Sequence, residues 1–307
     1  MARFLVTGGC GFIGSHVVEA LLARGDEVRI LDDLSTGKRQ NVPSTAEIVV
    51  GDVADHGAVR DAMADVEGCF HLAAVASVQR GNEDWIGTHR SNLTGAIEIF
   101  DAARATDDRP AVPVVYASSA AVYGDNADVP LGEAAETKPL SAYGADKLGC
   151  ELHGRVATHV HEVPTVGFRF FNVYGPRQDP HSPYSGVIAI FAERLARRQG
   201  VTFFGDGEQS RDFVYVADVV RHLLAAMADP PEPPSVFNVC TGRSTTVRQL
   251  AETIAEIKGV ALNVDPQPER PGDIRVSLGD PEKAKAYFGF AAATPLAEGL
   301  RRTLDAV

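Results

Sequence analysis

The sequence is short of several things, and each shortage closes a class of function. It has four cysteines, Cys10, Cys69, Cys150 and Cys240, with no close pair and no metal-ligand spacing among them. That argues against a disulfide scaffold or a zinc ribbon, and makes reduced thiols in a cytoplasm the expectation. Positive charge is scarce: 29 Lys and Arg stand against 41 Asp and Glu, a net charge of −12. Such a chain is a poor partner for nucleic acid or for an anionic membrane surface. An anionic small ligand would have to be met by local arginines and helix N-termini. No apolar run approaches the length that spans a membrane. No repeat, heptad or low-complexity tract is visible. The first strand is expected to start at residue 3, which leaves no signal peptide to expect before it. The stiff run Asp229-Pro-Pro-Glu-Pro-Pro234 is too brief for a domain linker.

What is present is the makeup of an ordinary globular protein, 45% hydrophobic and 23% charged. Its 307 residues suffice for one large α/β domain and a smaller one. The informative stretch comes first. Phe4-Leu5-Val6 passes into Gly8, Gly11 and Gly14, and Val17, Val18, Leu21 and Leu22 then recur at a helical period up to Gly25. Strand, glycine turn and helix together form the setting in which a Gly-x-x-Gly-x-x-Gly pattern signals a dinucleotide. Gly8 permits the tight turn, Gly11 lets a pyrophosphate approach the backbone, and Gly14 lets the helix pack on the strand. Phe12, Ile13 and Gly14 open the helix whose N-terminal N–H groups face the phosphates. Residues 27–31 read as the second strand and end at Asp32, where a carboxylate can accept from both hydroxyls of an adenosine ribose. This favours NAD, while Lys38 and Arg39 nearby keep NADP open.

The rhythm continues with strands at 47–50, 69–73, 113–117 and 165–171. Helices are expected from Asp55 to about 65, from Asn92 to about 104 and from Tyr143 to about 159. Alternating strands and helices give an α/β fold, a doubly wound parallel Rossmann sheet with ligands at the carboxyl ends of its strands. Beyond Asn172 the pattern loosens. A helix is expected from Val187, a short strand ending at Phe204, an extended run 212–216, a strand 236–239 and a capping-box helix from Thr246. We expect a smaller, discontinuous α/β substrate domain. Residues 1–171 plus about 213–242 form the cofactor domain, and about 172–212 plus 243–307 the second.

Tyr143-Gly-Ala-Asp-Lys147 carries the sharpest chemistry. Positions i and i+4 share a helix face, so the lysine ammonium lies near the phenol. It favours the phenolate and makes Tyr143 a usable general base. A chance Tyr-x-x-x-Lys is common, but Ser118-Ser119 ends the strand just before this helix. A hydroxyl there can bond the oxygen that gains and loses a proton.

Taken together these motifs resemble an extended short-chain dehydrogenase/reductase, and most closely the UDP-hexose 4-epimerases. The likeness rests on Thr7-Gly-Gly-Cys-Gly-Phe-Ile-Gly14, Gly51-Asp52, His71-Leu-Ala-Ala74, Ser118-Ser-Ala-Ala-Val-Tyr-Gly124, Tyr143 with Lys147, Arg169-Phe-Phe-Asn-Val-Tyr-Gly-Pro-Arg177, Arg211-Asp-Phe-Val-Tyr-Val216 and Arg270-Pro-Gly-Asp273. It covers nearly the whole chain. It implies a catalytic set of Ser119, Tyr143 and Lys147. It implies a bound NAD contacted by Asp52, Val53, Leu72, Ala73, Ala74 and Asn92, besides the glycine loop and Asp32. It implies a UDP-sugar held by Asn172, Val187, Phe204, Arg211, Arg270 and Asp273, with Ser119, Tyr143 and Ser277 against the sugar. Arginine forks suit diphosphate oxygens.

An epimerase of this kind oxidises C4, lets the 4-keto sugar turn over, and reduces the other face, so it needs no further acid or base. Related dehydratases carry acidic side chains just after the catalytic hydroxyl, where this chain has Ala120 and Ala121. A 3,5-epimerising reductase would want a Cys/His pair, for which His71 and Cys150 are the nearest candidates. In the family the position matching Ser277 is bulky in enzymes confined to glucose and galactose, and small where N-acetylhexosamines are turned over. The resemblance thus implies UDP-GlcNAc/UDP-GalNAc interconversion alongside UDP-Glc/UDP-Gal. It also implies a homodimer packed through the helices near 92–105 and 143–160. A cofactor-binding sensor would be expected to lack the tyrosine, lysine or serine, and all three are here.

Overall fold

A computed structural model describes residues 1–178, 186–233, 235–269 and 274–306, and Val78 by its backbone alone. The central feature is a seven-stranded sheet. Its strands are β1 (Arg3–Thr7), β2 (Glu27–Asp32), β3 (Glu47–Val50), β4 (Gly68–His71), β5 (Val114–Ser119), β6 (Thr165–Phe170) and β11 (Ser235–Val239), in the order β11-β6-β5-β4-β1-β2-β3. β1 pairs in parallel with β2 and β4, β2 with β3, and β4 with β5. Parallel strands need crossovers, and helices supply them. They are α1 (Phe12–Ala23), α2 (His56–Ala62), α3 (Val78–Glu83), α4 (Trp85–His89), α5 (Gly95–Ala102) and α6 (Ala142–His161). The strand order reverses between β1 and β4, the place where this architecture leaves a crevice for a ligand.

The chain divides into two compact units. The first is Met1–Gly124, Thr137–Arg169 and Val220–Phe237. Its β strands are apolar on both faces because helices cover both. Val17, Val18 and Leu21 of α1 are fully buried, as the helical spacing requires. On one side Leu5, Leu31, Cys69 and Tyr116 join Val59, Ile99 and Phe100 in a single apolar core.

The second unit is Asp125–Glu136, Phe170–Val219 and Asn238–Val307. It holds β7 (Asn172–Tyr174), α7 (Val187–Ala196), β8 (Val201–Phe204), β9 (Ser210–Arg211), β10 (Phe213–Tyr215), β12 (Thr245–Thr246), α9 (Val247–Lys258), β13 (Val264–Gln267), β14 (Val276–Ser277), α10 (Glu282–Phe288) and α11 (Leu296–Leu304). Its strands form small sheets, β10-β7, β12-β9-β14 and β13-β8. α8 (Val216–Ala228) and β11 each run from one unit's residues into the other's. The segments 125–136, 213–219 and 238–242, expected in the first unit, group with the second. Leu131 N–H donates to Leu278 O, Asp280 N–H donates to Leu131 O, and Glu133 accepts from Asn238 N–H.

Where the chain departs from the sequence reading, polar caps explain the departure. The helix expected from Asn92 is entered earlier, by α3 and α4, and passes through a π turn at Arg90–Thr94 before α5. Ser77 and Asp84 cap the two short helices through Arg80 and Gly87 N–H. These helices have no apolar stripe to betray them; Trp85 and Ile86 stand exposed. The capping box at Thr246 and Gln249 is present on both sides, and Gly259 closes α9 in a left-handed turn. The remaining element boundaries shift by a few residues.

Candidate active site

In the first unit a cavity of about 260 Å³ opens at the crevice between β1 and β4. Gly8 adopts φ +66, and a Cβ there would lie 2.8 Å from the backbone of Ala73, so the loop and the end of β4 touch through that glycine. A Cβ on Gly14 would meet Gly8 O at 2.2 Å, which only a bare backbone avoids. Gly11, the N-cap of α1, faces the cavity with no side-chain cap, leaving the first N–H groups of the helix without a protein acceptor from a cap. Phe12, Ile13 and Gly14 line the same cavity with Leu72, Ala73 and Ala74.

Asp32 also lines it and is 5% exposed. Its oxygens accept from Cys10 N–H at 2.9 Å and Leu34 N–H at 2.9 Å, one each. Burial raises its pKa, and those two bonds work against the rise. Asp33 lines the cavity from an exposed position and is tied to Ser35. Asp52 and Val53 border the cavity too, with Asp52 paired to Arg90 at 3.0 Å. Asn92 is placed differently. It is wholly buried, its Oδ1 accepts from Val75 N–H at 2.8 Å and its Nδ2 donates to Val75 O at 3.2 Å. Its amide therefore braces the loop after β4 from behind, and Ser91 is the neighbour that reaches the cavity.

The catalytic candidates lie at the end of β5 and on the first turns of α6. Ser118 and Ser119 alternate across the sheet, Ser118 buried and Ser119 half-buried. Ser119 Oγ accepts from Ala121 N–H at 3.1 Å in the 3-10 turn Ala120–Tyr123, which leaves its own proton to donate. Ser141 caps α6 through Gly144 N–H, so Tyr143 falls in the first turn and Lys147 in the second. Lys147 is 2% exposed; its Nζ donates to Ala117 O at 2.9 Å and stands 6.0 Å from the centre of the Tyr143 ring. A buried ammonium with one carbonyl keeps donors in reserve.

Three buried groups were not assigned this geometry from sequence. Thr7 Oγ1 accepts from Leu72 and Ala73 N–H, both at 3.2 Å, and lies 2.8 Å from His71 Nδ1. The Thr7 hydroxyl and the His71 ring thus share one buried hydrogen bond. Burial, with the Lys147 charge beside it, pushes the His71 pKa down to about 3. Cys150 is buried and donates to Asn92 O at 3.3 Å. Neither His71 nor Cys150 lines the cavity, so they do not make an acid–base pair there. The third is Glu151, bonded to Ser118 and Arg169.

In the second unit three of the expected substrate residues come together. Arg211 in β9 pairs with Ser277 in β14, and Asn172 in β7 with Phe213 in β10, two residues along from Arg211. The Arg211 guanidinium is anchored to Ser210 O at 2.9 Å and Ile274 O at 2.6 Å. Val187 opens α7. Phe204 ends β8 and lines a separate small cavity of about 190 Å³ with Gln209 and Arg275. Arg270 and Asp273 lie outside the described residues.

Residues 4–240 match the model of the NAD dependent epimerase/dehydratase family. The chain is 37% identical to a UDP-glucose 4-epimerase of Mycolicibacterium smegmatis, over 99% of its own length and 97% of the relative's. Among solved structures it resembles a UDP-glucose 4-epimerase of Thermotoga maritima with UDP-glucose, at TM-score 0.94 and 37% identity, covering 99% of this chain and 98% of that one. It also resembles a UDP-N-acetylglucosamine 4-epimerase of Methanobrevibacter ruminantium in complex with UDP-N-acetylmuramic acid, at TM-score 0.93 and 34% identity, covering 99% and 97%. The likeness runs over whole chains and over the parallel sheet, and the chain belongs to the NAD-dependent epimerase/dehydratase family.

Proposed function

We propose that this protein is a UDP-sugar C4-epimerase that interconverts UDP-GlcNAc and UDP-GalNAc as well as UDP-Glc and UDP-Gal. The observation that carries the reading is Lys147, bonded to Ala117 O two residues before Ser119 with its ammonium 6.0 Å from the centre of the Tyr143 ring, on the sheet that also builds the glycine crevice. The crevice fits the family's NAD. Gly11 and the open α1 N-terminus suit a pyrophosphate, Asp32 keeps acceptor capacity for ribose hydroxyls, and Lys147 keeps donors for a second ribose. Bound NAD supplies an acceptor and donor for the hydride of C4.

The chain's own groups manage the proton and the sugar. Tyr143 takes the proton of the 4-hydroxyl as C4 is oxidised and returns it when C4 is reduced. The Lys147 ammonium stands 6.0 Å from the centre of the Tyr143 ring, and Ser119 donates to the sugar oxygen while its charge changes. Ala120 and Ala121, where related dehydratases carry acidic side chains, offer no acid, which favours epimerisation over dehydration. Arg211 supplies a planar fork for the diphosphate. Ser277, paired with Arg211, presents a small side chain where a bulky one would exclude an acetamido group.

A second copy of the chain is the proposed partner. Leu152, Val156 and Val160 repeat at i, i+4 and i+8 on α6 and are 58%, 49% and 60% exposed. Ile97 of α5 is exposed as well. Sedimentation should give a dimer, and a monomer at micromolar concentration would remove this part of the proposal. The four cysteines are free and buried, as a reducing cytoplasm would leave them.

The decisive assay incubates the purified protein with each of the four UDP-sugars and no added cofactor. Epimer formation from both acetylated and plain sugars supports the reading. A dehydrated 4-keto product would favour a dehydratase. Retained NAD with no product would favour a sensor.

A further inference from the structure

The face of α6 that carries Tyr143 and Lys147 continues one turn further, to Glu151. This carboxylate takes no part in the proton traffic described above, yet it accepts three side-chain hydrogen bonds. Arg169 of β6 grips it with two bonds, Nε to Oε1 at 2.9 Å and Nη2 to Oε2 at 2.7 Å. Ser118 Oγ donates to Oε1 at 2.5 Å. Arg169 Nη1 donates to Tyr123 OH at 2.9 Å, and the guanidinium carbon lies 4.8 Å from the centre of that ring. Both side chains of the ion pair are 7% exposed. Burial alone would lower the Arg169 pKa; the bonds and charge of Glu151 outweigh it and leave the pKa raised.

A buried ion pair is a poor way to gain stability, because apolar residues of the same volume often serve as well or better. What this one supplies is geometry. It joins α6 to β6, to the end of β5 and to the 3-10 turn that follows Ser119. Two bonds cross from α6 to β5: Lys147 to Ala117 O, and Ser118 to Glu151. They are one turn apart on the helix and one residue apart on the strand. Together they set both the rise and the rotation of α6 against β5, and Ser119 is the very next residue.

We propose that Glu151 is a positioning residue for the reaction. Through Ser118 and Arg169 it sets the register of α6 on β5, and so holds Tyr143 and Lys147 at their working distance from Ser119. The inference rests on the roles given above to those three residues.

The test compares wild type, Glu151→Asp, Glu151→Gln and the double variant Glu151→Met with Arg169→Met, using full-length protein throughout. Glu151→Gln is expected to lower kcat about 10- to 100-fold, the loss that a shift of about 1 Å at a reacting centre brings, with KM for the UDP-sugar within about twofold. Glu151→Asp keeps the charge on a shorter stem and should recover part of kcat. The double variant removes both charges together, so its thermal stability should return to near wild type while kcat stays low. Wild-type kcat in a stably folded double variant, or in Glu151→Gln, would overturn the proposal.

Hydrogen exchange reads the register whatever the substrate. Peptides covering residues 117–121 and 143–148 should exchange faster in Glu151→Gln than in wild type, with the rest of the sheet unchanged. Unchanged exchange there would also overturn the proposal. If wild type turns over no UDP-sugar, the epimerase reading fails, and the exchange result alone decides the positioning claim.

Discussion

Asp32 in the first unit and Asp212 in the second are the same residue in similar surroundings, and their oxygens are bonded differently. Both are buried, both end up with raised pKa values because burial dominates, and both are held by backbone N–H groups. Asp32 accepts one N–H on each oxygen, from Cys10 and Leu34, and lines the glycine crevice. A carboxylate has roughly four acceptor sites, so half its capacity remains. Asp212 accepts from Thr241 N–H at 2.8 Å, from the Thr241 hydroxyl at 2.7 Å and from Gly242 N–H at 2.9 Å, and Gly279 N–H bonds it too. Its capacity is spent inside the protein. Burial and charge do not separate the proposed binding carboxylate from the structural one; unspent acceptor capacity facing a cavity does.

Substitutions can sharpen this contrast. The largest effect should come from Tyr143→Phe, which removes the proposed base and no hydrogen bond within the described residues. Epimerisation is expected to fall about 10²- to 10⁴-fold in kcat with the melting temperature unchanged. A variant retaining more than a tenth of the activity would place the base elsewhere. Asp212→Asn should do the reverse. It turns one acceptor into a donor facing N–H groups, and is expected to cost about 2–4 kcal/mol of stability, read by urea denaturation. If it unfolds no more easily than wild type, the distinction between spent and unspent carboxylates collapses.

Ser277→Tyr fills the proposed acetamido space, and should lower kcat/KM for UDP-GlcNAc about 10-fold or more while sparing UDP-Glc. Equal activity on both sugars in that variant would discard the gate. Asp32→Asn turns one acceptor toward Cys10 or Leu34 N–H into a donor, and should relax the preference for NAD over NADP by about 10-fold, measured by the affinities of the two. An unaltered preference would move the ribose contact to another group.

The smallest effect concerns His71. Its pKa is pushed down to about 3 in the folded chain, against roughly 6.5 when unfolded. Between those values the unfolded chain binds a proton that the folded chain refuses, so stability falls as pH drops through that window and levels off below it. His71→Asn keeps a hydrogen-bond partner for Thr7 and removes the titration. Its acid-unfolding midpoint should move lower by about 0.3–0.5 pH unit; a midpoint at or above that of wild type would contradict the buried neutral ring.

The sequence alone determined the alternation of strands and helices, the crevice after β1, and the placing of Ser119, Tyr143 and Lys147 in one stretch of chain. Those follow from short-range rules: a period of 3.6 or 2, glycines where a turn or a close approach needs them, and i to i+4 neighbours on a helix. The helices at 78–89 escaped because they are capped by polar residues and carry no apolar stripe. Only the tertiary structure could show that Asn92 turns its amide to Val75, that Thr7 bonds the ring of His71, and that 125–136 belongs with the second unit. Glu151 with Arg169 and Asp32 against Asp212 are of the same kind. Each depends on which distant residue fills a donor or an acceptor, and that is decided by the packing of the sheet and helices, which no local spacing records.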